Sequence, residues 1–361
     1  PQEAVQYVDA VVIGEAEEIW LKVIHDVERK RLEKYYRAKL PSMVNSPSPR
    51  IDLYHPGYEF GSVQTTRGCP MKCEFCSVHT FNGSKYRLRP VEQAVSDFIA
   101  LSQERVYIVD DNFVGYSKAA RDHAIAFFKG IVDSGEKKHW AGSASMNIAD
   151  DEEVLEWAAR SGCKMVFLGI ESELIDQLEQ ANKYVNIKIG VDKYKEVYDT
   201  IHKHEINVMG AFIYGLDNDT PETIYNRTSY ILDADIDIMQ ATILTPLPGT
   251  LLYNRFKENG QLLYTNYPED WERYNYAEVV FKPQKMSAQS FQDSVNENWK
   301  RLYNLQNLKK RFIKTLKQTK NPTTAVWAFS SNLHMHNFVF EDEQNLLDLQ
   351  KTFPQLLDKI E

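Results

Sequence analysis

The chain has 361 residues, 43% of them hydrophobic and 26% charged, which is ordinary for a globular protein and leaves room for two domains. A formal charge of −9 argues against a nucleic-acid surface, because phosphate binding leans on net positive potential. No apolar run approaches the roughly 18 residues a membrane span needs, and three cysteines crowded within eight positions are not a disulfide framework.

Residues 9–14 read as a short buried strand, and 15–28 place Ile19, Leu21, Val23, Ile24 and Val27 on an imperfect helical face. A lone strand–helix unit cannot bury both of its faces, so this opening reads as the βα remnant of a domain whose earlier part is missing. The chain starts at Pro1 with no signal-peptide pattern, the mark of a fragment or a trimmed chain. Pro41, Pro47, Pro49 and Pro56 make 41–58 a linker.

From residue 62 strand and helix patterns alternate. Strands are expected at 62–66, 106–110, 140–144, 165–170, 208–214 and 238–244, with helices at 91–101, 117–132, 151–161, 190–204 and 221–233. In the fourth helix Val191, Tyr194, Val197, Tyr198 and Ile201 share one face, as a helix covering a sheet requires. Asp150 or Asp151 suits the N-cap of the third. Six strands with short alternating helices imply a parallel sheet with right-handed crossovers, whose ligands sit at the C-terminal strand ends. Beyond 261 the character changes: Tyr264, Tyr267, Trp271, Tyr274 and Tyr276 crowd a loop-like stretch, followed by helices expected at 287–303, 305–317 and 342–351. The basic run Lys309-Lys310-Arg311 reads as a solvated helix face. The expected division is 1–57, 58–260 and 261–361.

Cys69, Cys73 and Cys76 form a C-x3-C-x2-C run directly after the first strand of the series. Thiolates at this spacing can converge on one soft metal centre, as in iron–sulfur sites. The fourth cysteine, Cys163, lies 87 residues past Cys76 and reads as a buried small hydrophobe. Three ligands on a four-iron cluster leave one iron open to bind something. A structural zinc site would need a fourth ligand close by; His79 is the candidate, and a zinc knuckle leaves the strand–helix series unexplained. His334-Met335-His336 is too loose a spacing to read as a metal site.

The cysteine run, with Phe75 before its last member, resembles the radical S-adenosylmethionine (SAM) family. The resemblance implies a partial (β/α)6 barrel with a mostly helical C-terminal domain. It also implies a 4Fe-4S cluster on Cys69, Cys73 and Cys76, SAM chelated at the open iron, and reductive cleavage of SAM to a 5′-deoxyadenosyl radical. Phe75 would pack near the adenine. Asp110-Asp111-Asn112 falls where the family's Gly-Gly-Glu motif holds the SAM ammonium, and its different letters leave open which of the three makes the contact. Two adjacent buried carboxylates would suit a cation there; a cap or turn is the alternative. Ser145 and Asn147 could face the cofactor, and Glu171 falls where the family contacts the ribose. Gly210 and Gly215 suit a close backbone approach to adenine or simple packing. Arg87 and Arg89 would hold the cluster loop, meet the SAM carboxylate, or form a structural ion pair; Thr245–Thr250 would line the site with a rigid turn.

The wording of residues 7–17 resembles the end of the cobalamin-binding domain that precedes the barrel in one large subfamily, and the tail resembles that subfamily's helical extension. The implied enzyme performs methyl transfer or another modification at an unactivated carbon. Cobalamin would belong to the parent protein, since Asp-x-His-x-x-Gly occurs nowhere in this chain. The implied partners are a small-molecule substrate and a reductant such as flavodoxin or ferredoxin, in a cytoplasmic setting, with no nucleic acid. The alternative is a non-catalytic metal-binding protein, either a zinc module or an electron carrier.

Overall fold

The computed structural model describes residues 1–55 and 57–340, so the helix expected at 342–351 lies outside the described residues. Ten strands appear in chain order: β1 Val11–Ile13, β2 Tyr35–Arg37, β3 Phe60–Val63, β4 Thr66–Arg67, β5 Arg87–Leu88, β6 Arg105–Ile108, β7 His139–Ala144, β8 Cys163–Glu171, β9 Asn207–Tyr214 and β10 Ile238–Ile243. The helices are α1 Trp20–Glu28, α2 Val78–Phe81, α3 Val91–Ala100, α4 Lys118–Ser134, α5 Glu152–Arg160, α6 Ile175–Gln180 and α7 Tyr184–Ile189. They continue with α8 Tyr194–His202, α9 Pro221–Asp233, α10 Leu251–Glu258, α11 Ala288–Tyr303, α12 Leu305–Thr319 and α13 Pro322–Phe340.

The expected barrel is present. β10-β9-β8-β7-β6-β3 form one parallel sheet in that order. Its outer face carries Val106, Ile108, Trp140, Val166, Leu168 and Val208, all buried in the main core. Side chains of opposite phase, including Ser143, Phe167, Ala211 and Gln240, face the barrel interior. Helix starts follow local capping chemistry. Ser117 accepts from Ala120 N at the head of α4, Asp151 from Val154 N at α5, and Thr220 forms a capping box with Thr223 ahead of Pro221 at α9.

β10 is an edge strand, and an uncovered edge invites wrong pairing. Here the C-terminal helices cover it with side chains. The Tyr303 hydroxyl donates to Met239 O (3.1 Å) and accepts from Ala241 N (3.2 Å), while Trp299 Nε1 donates to Ala241 O (2.8 Å). Asn332 of α13 accepts from Met239 N at 3.0 Å. α13 also packs on β8 and β9, and its Trp327 meets Phe60 of β3 edge-on at 5.6 Å. It thus touches strands from both ends of the open sheet and wedges the gap between them.

Two sequence expectations change. The N-terminal unit is βαβ rather than a lone βα: β1 and β2 pair in parallel, apart from the barrel sheet. Its Glu15 bonds Arg67 (2.6 Å) and Arg87 (2.9 Å), which ties this unit to the strands flanking the cysteine loop. The basic run 309–311 is not wholly solvated. Arg311 is buried and donates to Leu232 O and Ile236 O at 2.7 Å and Ile231 O at 2.9 Å. It therefore caps the C-terminal end of α9, where unpaired carbonyls and the helix dipole favour a cation.

Candidate active site

The cysteine loop is held by backbone geometry before any side chain acts. Gly68 has φ +94°, and a Cβ there would lie 2.3 Å from Lys85 O. Its N–H donates to Asp111 Oδ2 at 2.9 Å. Cys69 N bonds Gly83 O at 3.2 Å, Glu74 N bonds Ala181 O at 3.1 Å, and Leu252 N bonds Glu74 O at 3.0 Å. Arg255 of α10 clamps Glu74 (2.6 Å) and Asp217 (2.9 Å). The loop is therefore fixed at both flanks to the C-terminal ends of barrel strands.

Cys69, Cys73 and Cys76 are free thiols lining one cavity of about 610 Å³ at that end of the barrel. Burial pushes all three thiols up, with each raised further by the charge of a neighbouring cysteine and opposed by Lys183. Of the candidate cofactor contacts, Phe75, Asp111, Asn112, Ser145 and Glu171 line the same cavity. Asn112 Nδ2 donates to Ser145 Oγ at 3.1 Å, while its Oδ1 accepts from the Val114 and Gly115 amides. The Ser145 hydroxyl also bonds Tyr116. Asp111 accepts from Asn82 Nδ2 at 3.0 Å as well as from Gly68, so its charge is met by donors on the loop it steadies.

Asp110 and Gly215, the other two expected contacts, do not line the cavity. The Asp110 carboxylate turns back to the segment between β3 and β4, accepting from Thr65 N at 2.6 Å, Thr65 Oγ1 at 2.5 Å and Thr66 N at 3.0 Å. Burial pushes its pKa up to about 6 against these bonds. Its cost is offset by the backbone leading into the cysteine loop, with no ligand cation required. Gly215 has φ +99°, a Cβ there would come within 2.5 Å of the Phe291 ring, and its N–H donates to Asp219 at 2.7 Å. It is a packing and turn glycine, the reading left open beside adenine approach. Asn147 bonds Gly115 O, Arg87 holds Glu15, and Arg89 pairs with Asp97 at 2.6 Å; none of the three reaches the cavity. Cys163 is buried and its thiol donates to Met165 O, apart from the other three. Of the loose His pair, His334 lines the cavity whereas His336 turns away to Tyr303 O at 2.7 Å.

Sequence reasoning missed Lys183. It follows α6, lines the cavity and meets Glu171 Oε1 at 2.7 Å. Burial alone would lower its pKa, but the charges of Glu171 and Cys73 outweigh that and raise it. Glu171 itself sits at φ +64°, a costly conformation for a non-glycine residue. Beneath it Arg227, fully buried, bonds Glu173 and Asp219 at 2.9 Å and Ile213 O at 2.8 Å, buttressing the ends of β8 and β9. The signal that could have found Lys183 is Glu171: a carboxylate assigned to a buried strand end needs a cation within reach.

These residues fit a cysteine-held cluster. Three thiols face one cavity, and deprotonating buried thiols requires the positive charge that iron supplies. Among the described residues, no three His, Cys, Asp or Glu side chains gather closely enough to hold a single metal ion.

Residues 63–228 match the radical SAM superfamily. Over 301 residues the chain is 28% identical to bacteriochlorophyllide d C-12(1)-methyltransferase of Chlorobaculum tepidum, covering 80% of this chain and 62% of that one. It is 31% identical over 265 residues to hopanoid C-2 methylase of Rhodopseudomonas palustris, covering 72% of this chain and 50% of that one. The chain thus spans between half and two thirds of the length of these two curated relatives. The structure of the cobalamin-dependent S-adenosylmethionine radical enzyme OxsB with aqua-cobalamin bound superposes with a TM-score of 0.61, covering 96% of this chain and 63% of that one at 13% identity. That likeness is one of fold. Enzymes of the radical SAM family use a 4Fe-4S cluster and SAM.

Proposed function

We propose, for a chain whose residues 63–228 form a radical SAM domain, that Cys69, Cys73 and Cys76 hold a 4Fe-4S cluster for SAM-dependent methyl transfer or a related modification at an unactivated carbon. When bound, the reduced cluster and SAM together supply a 5′-deoxyadenosyl radical. The observation that carries the reading is the convergence of the three thiols, Asp111, Asn112, Ser145, Glu171 and Lys183 on one cavity at the C-terminal strand ends. The protein's own work is to bind, orient and exclude water. Asp111 and Asn112 fix the loop against β6 and present polar atoms toward the ammonium. Glu171, held by Lys183, offers its remaining carboxylate oxygen to the ribose hydroxyls. Phe75 supplies an apolar wall beside the adenine. A relayed proton is not needed, so the strongly paired state of Glu171 and Lys183 suits positioning rather than acid–base exchange.

The relatives' names support methyl transfer, and the OxsB likeness supports a cobalamin partner domain in the parent protein, with 1–57, 58–260 and 261–361 as N-terminal, barrel and C-terminal units. A one-electron donor of flavodoxin or ferredoxin type is the expected protein partner. No helix among the described residues is long and apolar enough to cross a membrane.

The test is anaerobic reconstitution with iron and sulfide, followed by iron content and 5′-deoxyadenosine yield. Alanine at Cys69, Cys73 or Cys76 abolishes SAM cleavage, and Cys163→Ala keeps it. Full activity in Cys73→Ala would remove the cluster assignment.

A further inference from the structure

The cavity mouth carries four large aromatic side chains from four separate parts of the chain. They are Tyr116 after β6, Tyr184 at the start of α7, Tyr276 in the loop before α11, and Phe338 on α13. Their exposures are 36%, 62%, 46% and 59%, although a folded chain ordinarily avoids grouping such surface. Tyr276 is held there at a cost: its φ is +66°, a region that a bulky side chain avoids. The surrounding bonds enforce it. Tyr276 O accepts from Ile243 N at 2.9 Å, and Asn275 Oδ1 takes the Ala277 and Glu278 amides at 3.0 Å. Behind the collar, Phe167 and Trp299 continue the aromatic lining inward. Among the described residues the cavity lining carries one lysine and no arginine, and that lysine, Lys183, is engaged by Glu171. An anionic head group would find no free lysine or arginine among the described lining residues.

We infer that this collar selects a flat, conjugated, largely apolar ring system as the substrate. The inference rests on the reaction proposed above and deepens it by naming the substrate class. Aliphatic walls would admit any apolar molecule of suitable size. Aromatic faces and edges add an attraction that another π-system returns more strongly than a saturated skeleton of the same size, through offset or edge-to-face contact. A strained, exposed tyrosine kept at the mouth is consistent with that added selectivity.

The experiment uses pyrene, followed by its own fluorescence, with fully hydrogenated pyrene as a competitor of the same carbon skeleton. The protein binds pyrene, and the saturated analogue displaces it at least about tenfold less effectively. The double variant Tyr184→Leu/Tyr276→Leu, which keeps an apolar surface, loses about tenfold in pyrene affinity, and Tyr184→Phe/Tyr276→Phe restores it. Equal displacement by the saturated competitor overturns the inference, as does unchanged pyrene affinity in the leucine variant. SAM cleavage by the reconstituted parent is measured alongside. Absent 5′-deoxyadenosine with intact pyrene selectivity sinks the reaction while the collar stands. Normal cleavage without selectivity sinks the collar alone.

Discussion

Replacing Lys183 with methionine isolates the pair that sequence reasoning missed. Lys183 and Glu171 meet at 2.7 Å with side chains only 15% and 8% exposed, so neither charge is well hydrated. Removing one partner of such a pair leaves the other buried and unmatched, at a cost of about 3–5 kcal/mol. The cavity lets some water reach Glu171, which places Lys183→Met near the lower end, about 3 kcal/mol. Glu171→Gln leaves an ammonium on the cavity wall and costs less, about 1–2 kcal/mol. The double variant removes both charges, and replacing a whole buried pair is often close to neutral. The coupling energy is then about 4–5 kcal/mol, well above the few tenths expected of independent sites. Anaerobic urea denaturation of the four proteins at neutral pH, with equal m-values, measures it. A double variant whose loss equals the sum of the single losses would refute the argument. It would mean that each charge is stabilised by something other than its partner.

Two further perturbations test how the cavity is built. Tyr303→Phe strips Met239 O and Ala241 N of the hydroxyl they share, and should destabilise the protein by about 1–3 kcal/mol with little change in packing; a loss under about 0.5 kcal/mol in urea denaturation would mean those edge groups find other partners. Asp110 titrates near pH 6 when folded, against about 4 unfolded, so its favourable contribution is complete below about pH 4 and is lost as pH rises through 6. Asp110→Asn should therefore gain about 2–3 kcal/mol relative to the parent between pH 4 and 7, and a flat difference across that range would contradict the buried, desolvated assignment.

How much of this was legible in the sequence follows from where the physical signal was local. The six barrel strands are short apolar runs punctuated by helices with one apolar face, and both patterns survive in a single sequence. The cysteine spacing is local too. α13 was not legible because it packs on the barrel strands, on α11 and on α12 together. A helix contacted from several sides carries apolar residues nearly all round, as Val326, Trp327, Phe329, Leu333, Met335, Phe338 and Val339 do, and shows no amphipathic period. Similarly, β4 and β5 are two-residue strands joined across the cysteine loop, too short for any periodicity to register.

At the site, the Asp110 and Asp111 carboxylates are both met within the protein. A buried carboxylate must be met by something, but backbone N–H groups serve as well as a cation. Asp110 takes Thr65 and Thr66, and Asp111 takes Gly68, all of them residues leading into or starting the cysteine loop. The pair therefore spends much of its charge on placing the cysteines, and Asp111 alone reaches the cavity. Spacing along the chain could not distinguish these outcomes, because the donors lie more than forty residues upstream. The same holds for the C-terminal helices. α11 and α13 bond and wedge the open edge of the barrel, with Trp299, Met335 and Phe338 on the cavity wall. A wall of this kind cannot swing aside without exposing the β10 edge that it satisfies. On the inference drawn above, selectivity is expected to be decided at the aromatic mouth rather than by closure of the C-terminal helices.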